Sequence, residues 1–373
     1  MPRQALDRRH RQGARAGRRR ARHRVARDAP AAAQRGAGGL RDVPEEAGRL
    51  HQGRAEAVTG AARVIVVTGA SSGIGRATAV QAAERGDHVV LVARGRAALE
   101  LVAQECRDRG AASAMVVPTD VGDDAAVAAC FAQVLAEHPV IDAVVNSAGV
   151  VAYGRSEEIP AEVFDGVLRT NLIGSVNVAR HVMPVLRRQQ AGTLVLIGSL
   201  IGHIAVPSMS PYVLSKWGVR ALARQLKVEN RDLPDVHVAY VSPGGVDTPI
   251  YEQAATYDGY LGRPPPPVAG PDKVARIALR RLDHPRARTQ VNLSNDLIRF
   301  GFSALPGVFD RLVGPLFRLA AMEGTTRVDA TEGNVLTSVE AGNQPRGSQG
   351  NPLVGIARNA SALVRGATKR SAA

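Results

Sequence analysis

Ser199, Tyr212 and Lys216 are the residues on which chemistry could rest. Tyr212 and Lys216 stand four apart, so on a helix they share one face, a turn from each other. A phenol with a pKa near 10 is a poor acid or base at neutral pH. A neighbouring ammonium favours the phenolate and lowers that pKa. A serine one hydrogen bond away can hold a carbonyl oxygen. Together the three suit proton transfer to or from an oxygen whose carbon exchanges hydride with a nicotinamide. Singly, each has an ordinary reading: a tyrosine and lysine at this spacing commonly form a solvated helix face, and a serine after a strand is a common cap. Their order and spacing behind a glycine-rich turn make coincidence improbable.

That turn is Val64 to Gly75, Val-Ile-Val-Val-Thr-Gly-Ala-Ser-Ser-Gly-Ile-Gly. Val64 to Val67 are β-branched and apolar, as in a strand buried on both faces. Gly69, Gly73 and Gly75 follow at once, and Arg76 to Arg85 reads as a helix stopped by Gly86. Strand, glycine turn and helix start make an anion site, because backbone N–H groups and the positive helix end point at a phosphate that glycine lets approach. A bare glycine pattern is weak evidence; the flanking strand and helix remove most of the alternative of an ordinary tight turn.

The elements that must position these groups alternate. Further strands are expected at Val89–Ala93, Ala114–Pro118, Ile141–Val145, Thr193–Ile197, Val236–Val241 and Thr289–Leu293, with helices at Arg96–Arg109, Asp123–Glu137, about Pro160–Arg188 with breaks at Gly174 and Pro184, Ser210–Asn230 and Pro271–Leu282. Short apolar strands joined by helices imply an α/β fold, a doubly wound parallel seven-stranded sheet of Rossmann type with helices on both faces. Right-handed crossovers give the order 3-2-1-4-5-6 extended by one strand, with ligands beyond the carboxyl ends of the strands. Ser199 follows the fifth strand, and Tyr212 and Lys216 lie on the next helix.

The segment from Val64 to about Leu293, about 60% of the chain, resembles the short-chain dehydrogenase/reductase family in its compact branch. The matching pieces are Thr68-Gly-Ala-Ser-Ser-Gly-Ile-Gly75, Asp120-Val121, Asn146-Ser-Ala-Gly149, Asn171, Ser199, Tyr212-Val-Leu-Ser-Lys216 and Pro243-Gly244. Ser147 replaces the asparagine usual at the second position of Asn-Asn-Ala-Gly, a mild change. The resemblance implies that Tyr212 is the general acid in reduction and the base in oxidation. It implies that Lys216 depresses the tyrosine pKa and binds the nicotinamide ribose, that Ser199 orients the substrate oxygen, and that Asn171 holds a water in a proton relay. Asn171 as a helix residue capping a bend near Gly174 remains the alternative. Cofactor contacts are implied for Thr68, Gly69, Ser71, Ser72, Gly73, Ile74, Gly75, Asn146, Ala148, Gly149, Pro243, Gly244 and Val246, for Asp120 and Val121 beside the adenine, and for Thr248 at the nicotinamide amide.

An NAD site usually places Asp or Glu at the end of the second strand, on the ribose hydroxyls. Here Ala93 ends it and Arg94 follows. A carboxylate would repel a 2′-phosphate whereas a guanidinium can clamp it, so NADP(H) is favoured over NAD(H). Loops bordering the nicotinamide offer Val151, Tyr153, Leu200, Ile201, Ile204, Val206, Tyr251, Tyr257, Tyr260 and Leu261, with His203 the polar exception. They fit an apolar carbonyl compound or alcohol better than a charged sugar. The expectation is an NADP(H)-dependent carbonyl reductase or alcohol dehydrogenase. Its rivals are an NAD-dependent alcohol dehydrogenase, a catalytically silent nucleotide-binding regulatory protein, and a nucleic-acid-associated protein using a basic arm.

The net charge of +14 is unevenly placed. Residues 1–60 hold fifteen arginines, no lysine and six acids, leaving a net charge of only +5 on the other 313 residues. The folded domain, 61–295, therefore gives little reason to expect nucleic-acid binding. Residues 1–60 lack the apolar content to offset ordering entropy and read as a disordered arm, a targeting segment, or translation from an upstream start in GC-rich DNA. Residues 296–323 carry apolar residues at helical spacing and are expected to pack on the sheet, with a subunit or a membrane surface as alternatives. Residues 324–373 read as a mostly disordered polar tail. No apolar run is long enough to span a bilayer. The two cysteines, Cys106 and Cys130, fit a reducing compartment, neither has metal-ligand spacing, and the expectation is a cytoplasmic homo-oligomer without metal.

Overall fold

The computed structural model describes residues 62–350 and 353–361, with the side chains of residues 325 and 326 left aside. In chain order the elements are β1 (Val64–Thr68), α1 (Gly73–Ala83), β2 (His88–Ala93), α2 (Arg96–Asp108), β3 (Ser113–Pro118), α3 (Asp124–Glu137), β4 (Ala143–Asn146), β5 (Ala152–Tyr153), α4 (Ala161–Leu168), α5 (Gly174–Gln189), β6 (Gly192–Ile197), α6 (Ser210–Glu229), β7 (Val236–Ser242), β8 (Ala255–Thr256), β9 (Tyr260–Gly262), α7 (Pro271–Asp283), β10 (Arg288–Gln290), α8 (Leu293–Ala304), α9 (Pro306–Ala321) and β11 (Met322–Arg327).

Seven parallel strands form one sheet in the order β10-β7-β6-β4-β1-β2-β3. This is the doubly wound Rossmann arrangement expected, with its reversal between β1 and β4. Because successive side chains on a strand point to opposite faces, β1 feeds two cores. Val64 and Val66 join Val144, Leu194, Leu196 and Val182 on one face, while Ile65 and Val67 join Leu91, Val145 and Leu279 on the other. Both faces are covered, which is why the strands read as unbroken apolar runs. Asp142 accepts a hydrogen bond from the Val64 N–H at 2.7 Å and so ties the start of β1 to β4.

Three boundaries differ from the sequence reading, each for a local reason. Helix α1 begins at Gly73 rather than Arg76, inside the glycine turn itself. The expected break at Gly174 is instead a π-helical turn, Arg169–Ile173, between α4 and α5, and Pro184 lies within α5. Gly174 is there for closeness: a Cβ on it would sit 2.7 Å from Val121 Cγ2. The seventh strand is short, and Leu293, 90% exposed, opens α8 instead of closing β10.

The C-terminal segments depart further. Helix α9 packs on the domain through Phe317 and Ala321, and Phe302 of α8 meets Trp217 edge-on at 6.1 Å. Yet Leu297, Phe300, Leu305, Leu312 and Leu316 are exposed, so only one side of the helical pair meets the domain. Beyond it, residues 328–350, expected as unstructured tail, cross the domain surface. Thr331 and Thr256 exchange backbone hydrogen bonds at 2.9 and 3.1 Å, Asn334 N–H donates to Gln253 O at 2.9 Å, and Val335 is buried. Residues 353–361 are helical, and Asn359 is buried against the end of α9. Polar composition misled here because asparagines of this stretch bond the protein rather than water: Asn334 and Asn343 meet the Gln253 side chain at 3.0 and 3.1 Å, and Asn359 meets backbone groups at the end of α9. Residues 1–60, with the disordered arm expected there, lie outside the described residues. Among the described residues no helix is long and apolar enough to cross a membrane, and no group of three His, Cys, Asp or Glu could hold a metal.

Asn359 measures how firmly the last segment is attached. Its side chain accepts from the Gly324 N–H at 3.1 Å and donates to Met322 O at 2.8 Å and Leu319 O at 3.0 Å. Asn359→Ala leaves these groups unsatisfied, at a cost of about 1–3 kcal/mol. The thermal midpoint should fall by roughly 2–8 °C. An unchanged midpoint with unchanged protease resistance of the C-terminus would show that the segment is not docked.

Candidate active site

The carboxyl ends of β1, β2 and β4 open into a groove lined by Gly69, Ser71, Ser72, Gly73 and Ile74 on one side, Ala93, Arg94, Asp120 and Val121 at one end, and Ala148, Gly149 and Thr248 along the other. Glycine is required at two of these points: Gly69 (φ +68°) and Gly73 (φ +49°) are left-handed, and a Cβ on Gly69 would sit 2.8 Å from the Ala148 N. Gly75 is needed for packing, since a Cβ there would collide with the Gly69 carbonyl. The floor is therefore backbone, and the first turn of α1 starts within it. Such a cradle fits an anionic, extended dinucleotide. Asp120 accepts from the Gly122 N–H at 2.8 Å, which holds the turn after β3. Thr68, Asn146 and Gly75 lie beneath the groove rather than in its lining. Pro243 takes the Leu200 N–H on its carbonyl at 2.7 Å, and Val246 is buried in the core.

A buried chain of hydrogen bonds runs from that groove to α6. The Thr68 hydroxyl donates to Asn146 Oδ1 at 2.7 Å and accepts the N–H groups of Ser147 and Ala148 at 3.1 Å each. Asn146 Nδ2 donates to Ser175 Oγ at 2.9 Å, and Ser175 Oγ donates to the Asn171 carbonyl at 2.6 Å. Asn171 Nδ2 donates to Ser215 Oγ at 3.0 Å, and Ser215 Oγ donates to the Tyr212 carbonyl at 2.8 Å. Asn171 also closes a pair of bonds with the Val150 N–H and carbonyl at 2.8 and 2.9 Å. Its amide is thus fully engaged in holding the loop after β4 against α6. Ser175 and Ser215 escaped the sequence reading; Ser215, directly before Lys216, was legible only as part of the tyrosine–lysine spacing.

Ser199, Tyr212 and Lys216 come together at the other end of the groove. Lys216 is buried, with Nζ 5.5 Å from the Tyr212 ring centroid and donating to the Ile197 carbonyl at 3.2 Å. A Cβ on Gly149 would lie 3.7 Å from that Nζ, so the ammonium borders the groove floor. Burial pulls the Lys216 pKa down to about 8. Burial likewise pushes the Tyr212 phenol well above its usual range, with the nearby Tyr240 phenol adding to the rise and a hydrogen bond from the Ser199 hydroxyl offsetting part of it. The resting site therefore holds a neutral phenol. The lysine is not what governs it here; desolvation is. Ser199 is set from behind by Tyr240, whose hydroxyl accepts the Ser199 N–H and donates to its carbonyl at 3.3 Å each. A Cβ on Gly198 would collide with that ring. Nothing in the spacing of the chain marked Tyr240, because it lies on β7, a neighbouring strand forty-one residues on.

Ser199 and Tyr212 also face a second cleft, lined by Val151, Tyr153, Leu200, Ile201, Met209, Tyr251, Pro265, Phe317 and Ala321, with Arg263 the charged member. Arg263 donates to the Leu319 and Ala320 carbonyls at 3.0 and 3.3 Å, closing the end of α9. The cleft and the groove share Ile250. Of the residues expected there, Ile204, Val206, Tyr257, Tyr260 and Leu261 do not line it. His203 turns away to Gln290 at 3.3 Å and to the Tyr240 ring, and burial drops its pKa to about 4, so it stays neutral. Phe317 and Ala321 of α9 were not expected, because a wall supplied from more than a hundred residues downstream leaves no local pattern.

The short chain dehydrogenase family model matches residues 63–258. An uncharacterized oxidoreductase of Bacillus subtilis, YxnA, is 30% identical over 254 residues, 67% of this chain and 71% of that protein. An alcohol dehydrogenase from the archaeon Thermococcus sibiricus, solved with 5-hydroxy-NADP, is 29% identical with a TM-score of 0.53, covering 61% of this chain and 95% of that one. A short chain dehydrogenase/reductase from Burkholderia phymatum, solved with NAD, is 25% identical with a TM-score of 0.60, covering 66% of this chain and 95% of that one. By these matches the chain belongs to the short-chain dehydrogenase family and is an NAD(P)-dependent oxidoreductase.

Proposed function

We propose that the protein interconverts an apolar carbonyl compound and the corresponding secondary alcohol with NADP(H), Tyr212 acting as acid in one direction and base in the other. The observation that carries this reading is that Ser199 and Tyr212 share the floor of an apolar cleft that meets the dinucleotide groove at Ile250. A bound nicotinamide supplies or takes the hydride. Ser199 Oγ holds the substrate oxygen, and the neutral Tyr212 phenol gives that oxygen its proton as the carbon is reduced. A phenol kept protonated by burial is suited to the reductive direction. Lys216 holds the ribose, and its charge stabilises the phenolate left behind. Asn171 acts here as a positioning residue, fixing the loop at Val150 against α6; a water relay through it rests on the family resemblance. The NADP(H) preference rests on Ala93, which leaves the end of β2 without a carboxylate, and on Arg94 in the groove lining.

Tyr212→Phe keeps the ring and removes the proton. Turnover on the best ketone or aldehyde of a panel should fall by about 10²–10⁴-fold. Dinucleotide affinity should stay within a few-fold. Near-normal turnover by the folded variant would overturn the mechanism.

The Lys216 pKa of about 8 sets a pH window. Below it the ammonium is present and donates to the ribose; as pH rises through it the proton is lost. Dinucleotide affinity, followed by titration calorimetry, should therefore weaken above about pH 8. Lys216→Ala should bind weakly throughout and lose that step.

Arg94→Ala should raise the KM for NADPH roughly 10–100-fold, the worth of about 1.5–3 kcal/mol for a charge-assisted contact. The KM for NADH should change little. A wild-type protein that prefers NADH would refute the cofactor assignment.

A further inference from the structure

The adenosine end of the groove has a wall that the family motifs do not supply. It is built from residues 334–344, which cross the mouth beside the ends of β1 and β2. Asn334, Ser338, Val339 and Asn343 line the groove. The Gly73 N–H donates to the Gln344 carbonyl at 3.1 Å. The Arg94 guanidinium donates to the Asn334 carbonyl at 2.6 Å and to the Val335 carbonyl at 3.3 Å. The Ala98 N–H, in the first turn of α2, donates to Glu340 Oε2 at 3.1 Å. Glu340 lies directly against Gly95, where an added Cβ would sit 2.5 Å from its carboxyl carbon.

These contacts converge on one place. The end of β2 is where an acidic residue would read the ribose hydroxyls, or a basic one the 2′-phosphate. Here the strand supplies Ala93 and Arg94, and the acid arrives instead from the far end of the chain. We propose that Glu340 is a specificity-determining residue of the dinucleotide site, a carboxylate that opposes the 2′-phosphate and so limits the preference that Arg94 creates. Two physical effects act together. The carboxylate occupies the first turn of α2, whose positive end is the natural counterpart of a phosphate. The same segment engages two of the five guanidinium donors of Arg94 with neutral carbonyls, which leaves fewer for a phosphate. A ribose bearing only hydroxyls carries no charge for the carboxylate to oppose. Glu340 is exposed, so its charge is partly screened and its effect is a matter of several-fold rather than thousands.

The inference rests on the NAD(P) groove assigned above but not on which dinucleotide the wild type prefers. The test is the affinity of the full chain for NADP⁺ and NAD⁺ by titration calorimetry, comparing wild type with Glu340→Gln and Glu340→Lys. Glutamine keeps an acceptor for the Ala98 N–H and removes only the charge, so the thermal midpoint should fall by no more than about 2–4 °C. Glu340→Gln should bind NADP⁺ about 3–10-fold more tightly and NAD⁺ no more tightly. Glu340→Lys should tighten NADP⁺ further. Unchanged NADP⁺ affinity in both variants would overturn the proposal. So would a parallel gain for NADP⁺ and NAD⁺, which would make the segment an unselective plug. The wild-type ordering of the two dinucleotides tests Arg94 and Ala93; the change in their ratio tests Glu340, and either can fail alone.

Discussion

The site depends on one buried run of hydrogen bonds, from the Thr68 hydroxyl through Asn146, Ser175, Asn171 and Ser215 to the Tyr212 carbonyl. It joins three things that the chain supplies separately: the turn that cradles a dinucleotide, the loop after β4, and the helix that carries the phenol. In a dry interior each of these bonds is stronger than in water, and each partner left unpaired would be costly. The distance between the groove and α6 is therefore fixed by chemistry rather than by packing alone. The loops after β1 and β4 would otherwise be free to shift past each other.

The π-helical turn between α4 and α5 belongs to the same device. Asn171 lies in the widened turn, Arg169–Ile173; its amide meets Val150 and Ser215, and its carbonyl takes the Ser175 hydroxyl four residues on. Insertions of this kind are frequent at functional sites because they redirect one residue without ending the helix. Gly174 follows at once and allows α5 to lie against Val121, which sits beside the groove.

Desolvation then sets the proton chemistry. Tyr212 and Lys216 sit side by side, yet each is moved by burial more than by the other: the phenol upward, the ammonium downward to about 8. Both shifts favour the neutral forms, so the proton rests on the tyrosine. The apolar cleft that brings this about is closed by Phe317 and Ala321. The C-terminal helix thus contributes to the acid strength of a residue more than a hundred positions before it, by excluding water.

The sequence by itself determined the sheet, its parallel order and the groups that could react, because these follow from short-range rules. Buried parallel strands must be continuously apolar, glycine must stand where the backbone turns left-handed at Gly69 and Gly73, and a tyrosine and lysine four apart must share a helix face. Only the tertiary structure decided what surrounds those groups. Tyr240 reaches Ser199 from the neighbouring strand, His203 turns away from the cleft, α9 closes it, and a polar stretch that reads as a loose tail supplies the carbonyls on Arg94 and the carboxylate at α2. Such contacts join residues up to 242 positions apart. They are made between surfaces that exist only once the sheet has formed, so they leave no periodicity or spacing in the chain from which to infer them.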